Sequence, residues 1–183
     1  MFKFKKNIFL LLIFPILSYT KNSYAESCHD IFNHSMRQLH SENIIDLCEL
    51  TKNKPALVIN TASHCGFTKQ FESLEAVHKK YSSRGLVVIG FASDDFNQEN
   101  KDEAKAAEIC YANYGVTFTM IAPSHVKGEK PNPVFNEIIK QSKAPKWNFN
   151  KYIIDKKGIV SDHFGSFTKP SSKKFQNAIE KIL

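Results

Sequence analysis

The sequence predicts an α/β fold: a mixed central sheet with helices on both of its faces. Three observations carry this. Short apolar runs alternate with amphipathic stretches from Ala56 onward. The first of these runs, Ala56-Leu57-Val58-Ile59, is continuously apolar, as a strand buried on both faces requires. Near its end the chain carries a hairpin signal and then one more amphipathic helix.

Taken in order, residues 56–59 are the first strand. Phe71, Leu74, Val77 and Tyr81 recur at helical spacing, and Gly85 stops that helix. Residues 86–91 are a second β-rich run, followed by a polar loop over 93–100. Residues 101–111 read as a helix, with Ala106, Ile109 and Cys110 on one face. Residues 118–121 are a third short strand. Pro131 and Pro133 precede a further helix carrying Val134, Phe135, Ile138 and Ile139. Residues 149–154 and 159–164 flank Lys156-Lys157-Gly158 as a hairpin. Ser171 or Ser172 caps a last helix with Phe175, Ala178, Ile179 and Ile182 inward. Residues 26–55 fit either two β-segments or a helix near 44–50. The order from Ala56, β-α-β-α-β-α-β-β-α, is that of a thioredoxin-like fold with one inserted helix. No period of 20–50 residues repeats.

A length of 183 residues suits one domain. Apolar residues at 42% and charged ones at 23% exclude wholesale disorder and fibrous character. Lys3, Lys5 and Lys6 precede an apolar run over 8–17, and Ser23-Tyr24-Ala25 follows. Basic flank, short apolar middle and small residues before a cleavage point describe a secretory signal peptide over 1–25. The run contains Pro15 and is half of the roughly 20 residues a spanning helix needs, so no stable membrane insertion is expected. The single domain is then 26–183, exported to the periplasm or secreted. Cleavage removes four lysines and no acids, so the net charge falls from +7 to +3. Basic clusters are two residues long and not interleaved with aromatics, which argues against nucleic-acid binding.

All four cysteines, Cys28, Cys48, Cys65 and Cys110, lie beyond the signal. Export permits disulfides. No Cys-x-x-Cys pair occurs, and spacing alone leaves all three complete pairings open. The histidines are scattered, and no metal is expected.

Cys65 follows the first strand, near the start of a helix, where unpaired amides favour a thiolate. The wording around it, Asn60-Thr61-Ala62-Ser63-His64-Cys65-Gly66-Phe67-Thr68, resembles the glutathione peroxidase family. So do Arg84-Gly85-Leu86-Val87-Val88-Ile89-Gly90-Phe91, Asn113-Tyr114-Gly115-Val116-Thr117-Phe118 and Trp147-Asn148-Phe149, in the family's order and spacing. The resemblance implies that Cys65 attacks a hydroperoxide, and that Gln98, Trp147 and Asn148 complete the catalytic tetrad as hydrogen-bond donors. Gln98 matches through Phe96-Asn97-Gln98-Glu99-Asn100, one residue shorter than the family's wording, with Asn100 where a proline is usual. Residues 92–95 lack a cysteine common among relatives. Cys110 matches the resolving cysteine of thioredoxin-dependent members, which implies a Cys65–Cys110 disulfide reduced by a thioredoxin-like protein, with glutathione as the other candidate reductant. Local unwinding around Cys110 is expected during that cycle. With those two cysteines given roles, Cys28 and Cys48 are expected to form a structural disulfide. The resemblance is to the shorter members of the family, with little sequence between Met120 and Trp147 where tetrameric relatives carry an extra loop, and so implies a monomer. No cofactor is implied. The alternative function is a peroxide sensor or relay that passes the disulfide to a partner protein.

Overall fold

The computed structural model describes Met1 and residues 28–183. The expected signal peptide over 1–25 lies outside the described residues, Met1 apart. The described chain runs β1 (Ser35–Arg37), β2 (Ile44–Asp46), α1 (Leu47–Thr51), β3 (Ala56–Thr61), α2 (Gln70–Tyr81), β4 (Val87–Ala92), α3 (Glu103–Ala107), β5 (Thr119–Ile121), α4 (Pro133–Gln141), β6 (Lys151–Ile154), β7 (Val160–Phe164) and α5 (Lys173–Ile182). Residues 28–55 hold both alternatives at once: a two-stranded hairpin, then a short helix capped by Asp46, which accepts from Cys48 N at 2.9 Å.

The main sheet has the order β5-β4-β3-β6-β7. β3, β4 and β5 are parallel, while β6 and β7 run antiparallel to their neighbours. All six residues of β3 are buried. Its side chains alternate between two cores, as a pleated strand covered on both faces must. Leu57 and Ile59 join Phe71, Leu74, Tyr81, Phe175 and Ile179 under α2 and α5. Ala56 and Val58 join Ile31, Phe32, Val134, Phe135 and Ile138 under α4 and the N-terminal arm.

Caps follow the sequence. Asn132 accepts from Phe135 N at 3.0 Å ahead of Pro133, and Ser172 caps α5. Gly158 turns the β6–β7 hairpin at φ 76°, and a Cβ there would fall 2.6 Å from the His29 Cβ. The hairpin tip is thus seated against the N-terminal arm, where His29 Nε2 lies 2.8 Å from the Lys156 carbonyl.

A disulfide joins Cys28 of that arm to Cys48 of α1, with the two Cα atoms 5.6 Å apart. It spans 20 residues. A loop of that size constrains the unfolded chain by about 3 kcal/mol. The double variant C28A/C48A is expected to lose that amount in urea unfolding while its peroxide chemistry is unchanged. An unmoved unfolding midpoint would mean that the bridge contributes nothing.

Candidate active site

The C-terminal end of β3 is where the sheet changes sense, with parallel β4 on one side and antiparallel β6 on the other. The segment after β4 and the segment before β6 therefore meet at one edge, beside the turn that follows β3. That edge collects Cys65 and the segments that carry Gln98, Trp147 and Asn148.

Cys65 lies in a series of turns between β3 and α2, five residues ahead of Gln70 and 8% exposed. The Thr68 hydroxyl organises the turn: it accepts from Cys65 N at 3.1 Å and lies 2.7 Å from Cys65 O and 3.1 Å from Ala62 O. Thr68 thus takes up the Cys65 amide. Above Gly66 the space is open, with no atom within 4 Å of a Cβ built there.

On the β4 side, residues 98–100 are stitched to the turn. Gln98 O accepts from His64 N at 2.8 Å, and Asn100 N donates to Ser63 Oγ at 3.0 Å. The Glu99 carboxyl accepts from Ser63 N at 3.1 Å and Asn100 N at 2.8 Å. Burial holds the Glu99 carboxyl above the usual carboxylate range despite these donors. Gln98 is half-buried, and its side-chain amide donates to the neighbouring Asn97 carbonyl at 3.1 Å. Its backbone, not its amide group, is what the structure ties to the residue before Cys65.

On the β6 side, Asn60 is the clamp. Its Nδ2 donates to Trp147 O at 3.1 Å, its Oδ1 accepts from Asn150 N at 3.0 Å, and its carbonyl accepts from Phe149 N at 2.7 Å. Phe149 takes a left-handed φ of 59°, and the strand begins only at Lys151, two residues later than the apolar run suggests. The bonds that residues 149 and 150 would give a sheet ladder go to Asn60 instead. Trp147 is 41% exposed with its ring centroid 5.3 Å from Phe96. Asn148 is fully buried, and neither its Nδ2 nor its Oδ1 has a hydrogen-bond partner among the described residues. An unsatisfied buried amide costs about 1–3 kcal/mol and is uncommon outside functional sites.

The helix expected over 101–111 divides. α3 ends at Ala107, and residues Glu108–Asn113 continue as a π-helix that carries Cys110. Such wide turns are a recurrent feature of functional sites. Cys110 is a free thiol, buried in the same apolar core as Cys65, Ala62 and Phe149. Burial, and then the negative charge of Glu99, push its thiol up to about 12.

Beside Gly66 opens a cleft of about 610 Å³ walled by Phe67 and Phe167, whose rings meet edge to face at 5.1 Å. Lys69, Gln70 and Lys169 also line it. Among the described residues no group of three His, Cys, Asp or Glu could hold a metal ion, and no helix is long and apolar enough to cross a membrane.

Sequence reasoning gave no role to Asn60, Glu99 or Asn150. The first two stand inside quoted motifs, but only their long-range bonds reveal what they do.

The family model for glutathione peroxidase matches residues 31–139, a stretch that contains Cys65, Gln98 and Cys110. The glutathione peroxidase-like peroxiredoxin gpx1 of Schizosaccharomyces pombe is 40% identical over 138 residues, covering 72% of this chain and 86% of that protein. A glutathione peroxidase of Lactococcus lactis is 39% identical over 138 residues, with 72% and 87% covered. The crystal structure of Trgpx in apo form superposes with a TM-score of 0.65 at 28% identity, covering 84% of this chain and 95% of that one. A DsbE-type thiol:disulfide interchange protein from Chlorobium tepidum, 15% identical over 81% of this chain and 92% of that one, shares the thioredoxin-like fold with a TM-score of 0.59. On sequence and fold together, this chain belongs to the glutathione peroxidase family and is a peroxidase of that family.

Proposed function

We propose that the protein is a two-cysteine thiol peroxidase. The Cys65 thiolate attacks the terminal oxygen of a hydroperoxide, the O–O bond breaks, and the alcohol or water leaves with a proton. Cys65 becomes a sulfenic acid. The Cys110 sulfur then attacks the Cys65 sulfur, water leaves, and a Cys65–Cys110 disulfide remains. A thioredoxin-like dithiol reduces it by exchange, and its own thiols are oxidised in return. Trp147, Asn148 and Gln98 serve as donors to the thiolate and to the oxygen that gains charge as the O–O bond breaks.

The observation that carries this reading is the meeting at one sheet edge of three things. They are the Cys65 turn, the 147–150 segment clamped by Asn60, and the 98–100 segment stitched to Ser63 and His64. The unsatisfied amide of Asn148 in that setting supports a polar partner in the reacting complex. The signal-like N-terminus and the Cys28–Cys48 bridge support an exported protein. The short connection from β5 to Trp147 supports a monomer.

Reduced protein treated with equimolar hydrogen peroxide should yield a Cys65–Cys110 disulfide in peptide mapping. A lasting Cys65 sulfenic acid beside a reduced Cys110 would point to glutathione as the resolver. An unoxidised Cys65 would remove the peroxidase role from that residue.

A further inference from the structure

Lys151 is a cation in the wrong place for a cation. It sits on β6, an interior strand whose four residues are all buried, and it is 0% exposed. Among the described residues it has no carboxylate partner within ion-pair distance. Burial pushes its pKa down to about 7. Its Nζ instead donates to three carbonyls of one tight loop: Gly165 O at 3.3 Å, Ser166 O at 3.4 Å and Thr168 O at 2.8 Å. An ammonium has three donors and no acceptor, so one side chain can hold three converging carbonyls where no neutral side chain could. An apolar residue of similar length would avoid burying the charge. The charge therefore has to be accounted for by the loop it holds.

That loop reaches the reaction site. Gln70 Nε2 donates to Ser166 O at 2.6 Å, and Ser166 Oγ donates to Asn148 O at 2.6 Å. Between these anchored residues, Phe167 points outward, 89% exposed, and meets Phe67, two residues beyond Cys65. The loop is bonded on its inner side, and its outer side forms one wall of the cleft that opens beside Gly66.

We propose that Lys151 is a positioning residue that, by gathering the carbonyls of Gly165, Ser166 and Thr168, sets Phe167 opposite Phe67 as the wall receiving the apolar part of a bulky organic hydroperoxide. The proposal rests on the peroxidase reading of Cys65. Lys151 itself touches no reacting atom. Hydrogen peroxide has no apolar part, so its turnover does not draw on this wall.

The test compares hydrogen peroxide with cumene hydroperoxide in steady-state turnover by the wild-type protein, K151M, F167A and the double variant. Both single variants should raise KM for cumene hydroperoxide about tenfold with kcat retained. For hydrogen peroxide, kcat/KM of F167A should stay within about twofold of wild type, and K151M, whose loop also bonds Asn148 through Ser166, should lose at least about threefold less than it does on cumene hydroperoxide. The double variant should be no worse than F167A alone, since Lys151 acts through Phe167. K151Q keeps part of the donor set and should show a smaller KM rise, about threefold; it carries the test if K151M does not fold. Equal losses on both peroxides in a folded variant, an unchanged KM for cumene hydroperoxide, or additive effects would each overturn the proposal. A wild-type protein that turns over neither peroxide would remove the peroxidase reading, and this proposal with it.

Discussion

Cys65→Ser should lower peroxide turnover by at least about 10³-fold while leaving the fold intact. The thiolate is the attacking species, and a serine hydroxyl at neutral pH is a far weaker nucleophile. The change is close to isosteric. The turn is held by Thr68 through backbone atoms of Cys65 and Ala62, not through the sulfur. Unfolding free energy should therefore move by no more than about 1 kcal/mol. Stopped-flow peroxide consumption beside a urea titration measures both. Retained turnover in C65S would place the nucleophile elsewhere, and a collapse of stability would turn the loss into a folding effect.

Cys110→Ala should separate the two halves of the cycle. A single equivalent of peroxide should still convert Cys65 to a sulfenic acid at close to the wild-type rate. Multiple turnover with a thioredoxin-type reductant should fall by about 100-fold or more, because nothing remains to close the intramolecular disulfide. The resting state explains why this step needs motion. Cys110 is 3% exposed and its thiol is pushed up to about 12, so in place it supplies almost no thiolate at neutral pH. Moving it out of the apolar core and away from Glu99 removes both causes of the shift. On the proposed cycle, the π-helical segment Glu108–Asn113, which carries Cys110, is the element expected to open. Hydrogen exchange over residues 99–113 should then be faster in the disulfide form than in the reduced form. Equal protection in both forms, or full thioredoxin-supported turnover by C110A, would exclude Cys110 as the resolver.

Much of this protein was readable from local pattern. β3, α2, β4, β5, α4, the hairpin and α5 all lie where apolar spacing and Gly, Pro, Asn or Ser punctuation put them, because those signals act over a few residues. The disagreements arise where distant residues compete for the same backbone groups. β6 starts late because Asn60, some 90 residues earlier, takes the amides of Phe149 and Asn150. The helix through Cys110 widens into a π-turn that periodicity cannot distinguish from an α-turn.

By itself the sequence determined the alternation of elements, the two-sided burial of β3, the cysteine that follows it and the family wording around that cysteine. These need only side-chain chemistry and spacing along the chain. The tertiary structure alone decided that Asn60 and Glu99 draw the two flanking segments onto the Cys65 turn, and that a buried Lys151 gathers the loop bearing Phe167. Each of these joins residues from 14 to 90 positions apart. The entropy of closing such loops is overcome by the whole packed core at once, so no local stretch of sequence encodes the outcome.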